Sequence, residues 1–193
     1  MKENNMDTKN QINTVEPRTR TQPSFANQLL EFAITFFVIT LSLTQIFALH
    51  AVPTGSMDPF IPRKTMVACW RLSYLLGDPV PNRGDIVSFT DPDNKDRKLI
   101  KRVIGLPGDV ITFEGGYVYI NGEKLDEPYL AEPGTTYSKT ERFEVPEGCF
   151  FAMGDNRVHS YDCREKATHY VPISAIHARW LFNLPRFFSI FMS

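Results

Sequence analysis

An uncharged apolar run at residues 32–49, FAITFFVITLSLTQIFAL, constrains what this chain can fold into more than any other stretch. Extended to Val52, it has about the 20 residues that a helix needs to cross the hydrocarbon core of a bilayer. It exceeds the ~7–15 apolar residues of a cleaved leader, and no small-residue cleavage site follows it cleanly. A buried core helix is the alternative that its length leaves open. We predict an uncleaved membrane anchor over residues 25–51.

The segments on either side of the anchor differ in composition. Residues 1–24 are polar and nearly free of large apolar side chains, which predicts a disordered tail because little surface is buried to offset the entropy of ordering. Arg18 and Arg20 precede the anchor, and basic residues favour the cytoplasmic side of a membrane. We expect a cytoplasmic tail at 1–24 and one domain at 52–193.

Short runs of β-branched and aromatic residues, separated by Gly, Pro, Asn or Asp, follow the anchor. Examples are DIVSFTD (85–91), LIKRVIG (99–105), DVITFEGGYVYINGE (109–123) and CFFAMGD (149–155). In the third, a Gly-Gly pair and an Asn-Gly pair each separate two apolar runs, which predicts tight hairpins. We predict a mainly β domain. The aromatic segments 69–76 and 179–192 either pack in its core or lie at the membrane interface.

Charge and cysteine content exclude several functions. The 21 basic and 22 acidic residues form neither the basic excess nor the basic stripe expected of a nucleic-acid-binding protein. Cys69, Cys149 and Cys163 form no CxxC pair, which argues against a zinc site and a disulfide framework, although one disulfide stays open. We expect no nucleic-acid partner and no metal.

Ser56 in PTGSMDP and Lys101 in KLIKRVIGLPGD are candidates for chemistry. A serine on a Gly-flanked turn exposes its hydroxyl near backbone N–H donors, but serine beside Gly and Pro is also ordinary turn chemistry. If residues 99–103 form a strand, Lys101 shares a face with Leu99 and Val103. Desolvated there, it has a lowered pKa and can act as a general base; on an exposed edge it only deters aggregation.

The polar segment GDNRVHSYDCR (154–164) and the histidines are further candidates. The segment follows an apolar run, and loops at strand ends often carry functional sites, although a solvated loop is the plain alternative. His159 with Asp162 could in principle complete a Ser-His-Asp triad with Ser56. The other histidines are His50, His169 and His177. None of the four lies in a context that fixes such a role.

Taken in order, these segments resemble the type I signal peptidases, membrane-bound serine proteases that remove secretory signal peptides. TGSMDP is similar to the family's nucleophile box, RGDIVSF to a strand box and KRVIGLPGD to its lysine box, and INGEKLDEPYL is typical of its β domain. The resemblance implies a single transmembrane helix followed by a mainly β, antiparallel, partly coiled or barrel-like catalytic domain. The last box matches at Gly154, Asp155, Asn156, Arg157, Ser160, Asp162 and Arg164.

The resemblance also implies roles for individual residues. Ser56 would be the nucleophile and Lys101 its general base, with an oxyanion hole formed by the Ser56 N–H and the Thr54 hydroxyl. Ser160 would hydrogen-bond and orient the lysine. The remaining implied roles are an ion pair of Asp162 with Arg164, support from Asp155, Asn156 and Arg157, and small side-chain pockets at Val52, Met57 and Ile100.

Partners and location follow from the same resemblance. The substrates would be secretory preproteins, the protein would contact membrane lipid, and no cofactor is required. The catalytic domain would lie on the outer face of a bacterial cytoplasmic membrane. Two alternatives stay open: a non-catalytic, membrane-tethered binding module of the same fold, and a self-cleaving repressor-type Ser–Lys protease, for which the chain lacks a helix-turn-helix pattern.

The sequence departs from the family pattern at two positions. Phe60 stands where threonine is common, which we interpret as a change in packing. Cys163 stands where serine is usual, between Asp162 and Arg164, and Cys149 lies fourteen residues earlier on a predicted strand. A disulfide between Cys149 and Cys163 is therefore one hypothesis, and the sequence alone leaves the pairing open.

Overall fold

The structure is a computed structural model that describes residues 24–71 and 80–184. Nearly all of the predicted tail, 1–24, lies outside the described residues. The chain divides into two compact units, Met1–Ile39 and Thr40–Ser193. Within the described residues, one helix, α1, precedes eleven strands and a short 3₁₀ helix at Ile173–Ala175. The bounds are α1 Phe25–Ile46, β1 Phe47–Val52, β2 Thr65–Trp70, β3 Ile86–Asp91, β4 Asn94–Gly105, β5 Val110–Glu114, β6 Tyr117–Ile120, β7 Glu123–Lys124, β8 Arg142–Glu144, β9 Cys149–Met153, β10 Val171–Pro172 and β11 Ile176–Asn183.

Helix α1 has the length and composition of a membrane span. Its 22 residues extend about 33 Å at 1.5 Å per residue, which exceeds the ~30 Å hydrocarbon core. None of its residues is buried, and Glu31 is its one charged residue. The mean hydropathy of its most apolar window is 1.8. Among the described residues, nothing buries this helix, which argues against the buried core helix left open by the sequence.

The helix ends five residues earlier than the predicted anchor does. Residues 47–51, predicted to continue the anchor, belong to β1 and pair antiparallel with β2. Ala48 and Val52 are buried, whereas Leu49 and Ala51 are exposed. An apolar run with this alternation can form a half-buried strand as readily as the end of a helix, so its hydropathy alone did not locate the boundary.

The strands form two antiparallel sheets, which confirms the predicted mainly β class. The larger sheet has the order β1-β2-β11-β3-β4-β9-β10, and the smaller has the order β7-β6-β5-β8. Among the described residues, β1 and β10 are the edge strands of the larger sheet, and β7 and β8 are those of the smaller. Edge strand β1 leads directly into the turn that carries Ser56.

The two predicted hairpins are confirmed in the smaller sheet. Strands β5 and β6 pair through Glu114 and Tyr117, with Gly115 and Gly116 between them. Strands β6 and β7 pair through Ile120 and Glu123. All four turn residues have positive φ, including Asn121 and Gly122. Two-residue turns with this backbone match the twist of the strands they connect, which is why Gly-Gly and Asn-Gly are such strong signals.

Two apolar clusters form the core. The larger cluster joins both sheets. Phe143 of β8 packs on Phe151 of β9, and their ring centroids are 4.9 Å apart. The smaller cluster joins β1, β2, β3 and β11 to the turn after β1, through Met57 and Ile61. The second cluster therefore fixes the turn of Ser56 to the larger sheet.

The two aromatic segments lie partly in the sheet. Residues 69–70 end β2 and residues 179–183 end β11, and Trp70 makes an edge contact with Phe47 at 5.0 Å. Residues 72–76 and 185–192 lie outside the described residues. For the parts that are described, strand pairing accounts for the apolar pattern.

The hypothesised disulfide between Cys149 and Cys163 is not formed: all three cysteines are free. The Cys163 thiol accepts a hydrogen bond from the Ala152 N–H, three residues along β9 from Cys149. Three residues of strand span about 10 Å, beyond the ~7 Å limit for Cα atoms joined by a disulfide. Cys163 instead fills the core as a small apolar side chain.

Candidate active site

A tight turn after β1 carries Ser56. The Asp58 N–H donates to the Gly55 carbonyl, and the Ile61 N–H donates to the Met57 carbonyl. Met57 and Ile61 are fully buried on either side of this turn. Ser56 itself is 8% exposed, so its hydroxyl sits in a small cleft and not on an open loop. Burial of Met57 and Ile61 thus fixes the turn that carries the serine.

Asn156 holds the same turn from the opposite side. Its backbone N–H donates to the Ser56 carbonyl at 3.1 Å, and its side-chain amide donates to the Gly55 carbonyl at 3.1 Å. Gly154 allows this approach, because a Cβ there would collide with the Ser56 carbonyl and the Ser160 side chain. The supporting role that the resemblance implied for Asn156 thus has a geometric basis.

Lys101 on β4 contacts Ser56 directly. Its Nζ lies 2.5 Å from the Ser56 Oγ, and the lysine is 4% exposed. Leu99 and Val103, on the same face of the strand, are also buried. Burial lowers the pKa of Lys101 to about 8, although the negative charge of Asp162 opposes part of that shift. The lysine therefore exchanges its proton near neutral pH, as a general base must.

Asp162 and Arg164 form a buried ion pair behind the lysine. The Arg164 Nε donates to Asp162 Oδ1 at 2.9 Å, and the Gly154 N–H donates to Asp162 Oδ2 at 3.0 Å. Burial alone would raise the pKa of Asp162, but its hydrogen bonds with Arg164 and the arginine's charge lower it. Asp162 is therefore a fixed negative charge near Lys101 and keeps the lysine's pKa from falling further.

Ser160 does not make the hydrogen bond to Lys101 that the resemblance implied. Its hydroxyl oxygen is buried without a hydrogen-bond partner in the described part of the chain. The hydroxyl is close enough to Asp162 to help lower that carboxyl's pKa, yet no contact meets hydrogen-bond geometry. The reason is that the amine of Lys101 is directed at Ser56 and Ser160 packs against Gly154 instead.

Asp155 and Arg157 have partners that sequence reasoning did not identify. Arg102 makes two hydrogen bonds to Asp155, at 2.8 and 2.6 Å, and Glu127 pairs with Arg157. Burial raises the pKa of Asp155 despite the adjacent guanidinium. The Arg102 guanidinium also stacks on rings, 3.9 Å from the Tyr129 centroid. One indication of these contacts was present in the sequence: Arg102 follows Lys101 on β4, so its side chain points to the opposite face of the strand.

The Phe60 side chain packs against an aromatic ring and a guanidinium group. Its ring makes an edge contact with Trp180 at 5.0 Å and lies 5.0 Å from the Arg102 guanidinium. A cavity of about 620 Å³ beside these side chains contains neither Ser56 nor Lys101. Although this cavity is larger than the one at Ser56, it does not reach the two residues proposed for chemistry.

A cavity of about 350 Å³ opens onto Ser56 and Lys101. Thr54, Val52 and Ile100 line it. Met57 is not among the residues that line the cavity, and its side chain is fully buried in the smaller core cluster. The methionine follows the serine because the turn needs an apolar side chain to fix it to the sheet.

No histidine competes with Lys101 for the Ser56 hydroxyl. His159 lines the cavity, but its Nδ1 lies 3.2 Å from the Asn156 side-chain oxygen, and Asp162 is bonded to Arg164. His177 is bonded to Thr90, and His169 to the Cys163 carbonyl. His50 has a buried ring nitrogen without a partner in the described residues. A Ser-His-Asp triad is therefore not assembled here.

The chain is similar in sequence to proteins of known family. A family model described as signal peptidase, peptidase S26, matches residues 25–184. A signal peptidase I of Bacillus caldolyticus is 37% identical over 145 residues, which are 69% of this chain and 77% of that protein. A signal peptidase I of Bacillus licheniformis is 34% identical over 159 residues, 78% of this chain and 84% of that protein. A crystal structure of a signal peptidase I from Enterococcus faecalis is 35% identical, covers 53% of this chain and 97% of its own, and gives a TM-score of 0.44.

Proposed function

Because the chain belongs to the signal peptidase family, peptidase S26, we propose that Ser56 and Lys101 are the catalytic dyad with which this serine endopeptidase removes signal peptides. The observation that carries the proposal is the 2.5 Å contact between the Lys101 Nζ and the Ser56 Oγ, made by a lysine that is almost fully buried. A serine hydroxyl is a weak nucleophile until a base accepts its proton, and a buried, neutral amine is such a base.

The proposed reaction proceeds through an ester. Neutral Lys101 accepts the Ser56 proton as the Oγ attacks the scissile carbonyl, and the new oxyanion accepts hydrogen bonds from the Ser56 N–H and the Thr54 hydroxyl. The ammonium of Lys101 then gives its proton to the leaving amine, which becomes the N-terminus of the mature protein. Lys101 next accepts a proton from a water molecule as the water oxygen attacks the ester carbonyl. When the bond to the Ser56 Oγ breaks, the ammonium returns the proton to that oxygen, and the signal peptide leaves with a new C-terminal carboxyl group.

Two strand edges support binding of an extended substrate. Within residues 24–71 and 80–184, strand β1 pairs only with β2, and β4 pairs with β9 only from Arg102 onward. The cavity is lined from both strands, by Ala51 and Val52 on one side and Ile100 on the other. A substrate segment can add its backbone to such edges, while Val52 and Ile100 leave space for small side chains before the scissile bond.

The proposed location follows from α1. As a single membrane span with the tail cytoplasmic, it would hold the β domain at the outer face of a bacterial cytoplasmic membrane, in contact with lipid and with emerging secretory preproteins. Asp155, Asn156 and Arg157 would support the turn of Ser56 without touching the substrate.

Cleavage of a preprotein by the purified full chain in detergent tests the dyad. Ser56→Ala and Lys101→Ala should each lower cleavage by about 10³-fold or more, whereas exposed Lys139→Ala should not. Equal cleavage by wild type and dyad variants would remove the dyad from the mechanism. Binding without any cleavage by wild type would favour the non-catalytic, membrane-tethered module.

Thr54 has a test of its own, because the proposal gives it a role only when the oxyanion forms. Thr54→Ala should lower kcat by about 10²-fold and leave KM nearly unchanged, with Thr54→Ser retaining most activity. Full activity of the alanine variant would mean that the backbone N–H of Ser56 suffices alone.

A further inference from the structure

Basic residues line one end of the cavity that contains Ser56 and Lys101. Arg97 and Lys98 are exposed there, on the part of β4 that has β3 on one side only. Among the described residues, no carboxylate lines this cavity, and neither Arg97 nor Lys98 forms an ion pair. The two cations are therefore available to a charged ligand.

A histidine adjoins the strand segment that carries these cations. The His177 Nε2 lies 2.6 Å from the Thr90 Oγ1, and Thr90 pairs with Lys98 across strands β3 and β4. This end of the cleft, which we name the basic end (Arg97 and Lys98), has two exposed positive charges and no carboxylate among the described residues that line it.

The register of β4 indicates which part of a substrate would reach the basic end. Arg97 and Lys98 precede Lys101 by four and three residues, a distance of about 10–13 Å along a strand. Ile100, proposed to accept a small side chain before the scissile bond, lies between them and Lys101. An extended substrate advances by about 3.3 Å per residue, so its residues three to five positions before the scissile bond would face Arg97 and Lys98.

We infer that the basic end selects signal peptides with an acidic side chain three to five residues before the scissile bond. The inference rests on the proposed function, since it uses the proposed cleavage position. Each exposed charge pair contributes modestly, so Glu in place of Gln at the best of these positions should raise kcat/KM by about fivefold, and Lys should lower it by a similar factor. Because the pairs are exposed, added salt should weaken both effects.

The experiment compares synthetic peptides that carry Glu, Gln or Lys at each of the three positions, cleaved by the full chain in neutral detergent at low and high salt. Charge reversal by R97E/K98E should invert the order of the Glu and Lys peptides. The matched control is K124E/K139E, which changes the net charge equally at exposed residues outside the cavity and should preserve that order.

The outcomes separate the inference from the proposed function. If the Gln peptide is not cleaved, the proposed function fails, and anisotropy of labelled peptides bound to Ser56→Ala still measures the charge preference. Equal kcat/KM for the three peptides, or a preference that R97E/K98E leaves unchanged, overturns the inference. So does an R97E/K98E variant that loses only its binding to vesicles of anionic phospholipid, because the basic end would then serve lipid.

Discussion

Lys101 is the residue whose charge changes within the range of an ordinary assay. Burial lowers its pKa to about 8, and only its neutral amine can accept the Ser56 proton. Raising the pH through 8 should therefore raise kcat/KM to a plateau. At pH 6 we expect about one hundredth of the plateau value, because the neutral fraction falls tenfold for each unit below the pKa.

A pH–rate profile of the full chain checks this dependence. His50→Gln and His177→Gln are suitable controls, since burial and neighbouring cations lower the pKa of both imidazoles and place their titration below that of Lys101. Both variants should keep the rise of kcat/KM through pH 8 to a plateau. A flat profile from pH 5 to 9 would contradict a lysine base.

The ion pair of Asp162 and Arg164 predicts a difference in stability. Their side chains are 0% and 3% exposed, so Asp162→Asn leaves an unpaired buried guanidinium and should lower the free energy of unfolding by about 3–5 kcal/mol. The exposed pair Arg142–Glu144 is the control: Glu144→Gln should cost about 1 kcal/mol or less. Urea unfolding of the variants measures both values.

The pH dependence of that stability has a definite sign. The folded state lowers the pKa of Asp162, so the carboxylate's contribution is present above the unfolded value near 4 and is lost as the pH falls through the lower, folded value. Asp162→Asn should therefore be most destabilised relative to wild type at neutral pH. A difference that stays constant down to strongly acidic pH would contradict this account.

At the scale of elements, the segment from Gly154 to Arg164 docks on the turn of Ser56. Gly154→Ala would force the Ser56 carbonyl or its own backbone to move, and should lower kcat by well over about tenfold, since small displacements of a nucleophile have large effects. Gly105→Ala is the matched control, because its Cβ would meet the Ile111 and Val145 side chains in the core. It should lower the melting temperature with little loss of kcat per folded molecule.

Some elements could be predicted from sequence because their signals are local. The hairpins β5–β6 and β6–β7 were predictable, since Gly-Gly and Asn-Gly favour the positive φ that such turns require. The start of β1 was not, because an apolar run fits both a span and a half-buried strand. The Arg102–Asp155 pair joins residues far apart in sequence, and nothing in either neighbourhood specifies the partner.

The same limit applies within the site. Ser56 and Lys101 were identified through motifs, but the 2.5 Å contact between them depends on the pairing of strands that sequence spacing does not determine. The resemblance placed Met57 in a substrate pocket, whereas the structure buries its side chain in the core. A motif thus locates the turn in the sequence, but the direction of each side chain depends on packing that the motif does not describe.

At the scale of the whole molecule, the proposed topology places the N-terminal tail and the β domain on opposite sides of a membrane. Cysteine labelling can test this topology because two of the native thiols react poorly with maleimides. Cys69 and Cys163 are buried, and burial raises the pKa of each to about 12. Replacing half-buried Cys149 by serine completes a suitable background. New cysteines can then be introduced singly, as Thr8→Cys in the tail and Lys139→Cys in the β domain.

A membrane-impermeant maleimide applied to intact spheroplasts should modify Lys139→Cys and leave Thr8→Cys unmodified. Lysis should make the tail cysteine reactive, which controls for its accessibility. The positive charges that precede the helix favour this orientation, although Arg18 and Arg20 are few and Glu31 lies close to them in sequence. Modification of Thr8→Cys before lysis, with Lys139→Cys protected, would contradict the proposed topology. The proposed dyad would then lie on the side of the membrane from which signal peptides have not yet crossed.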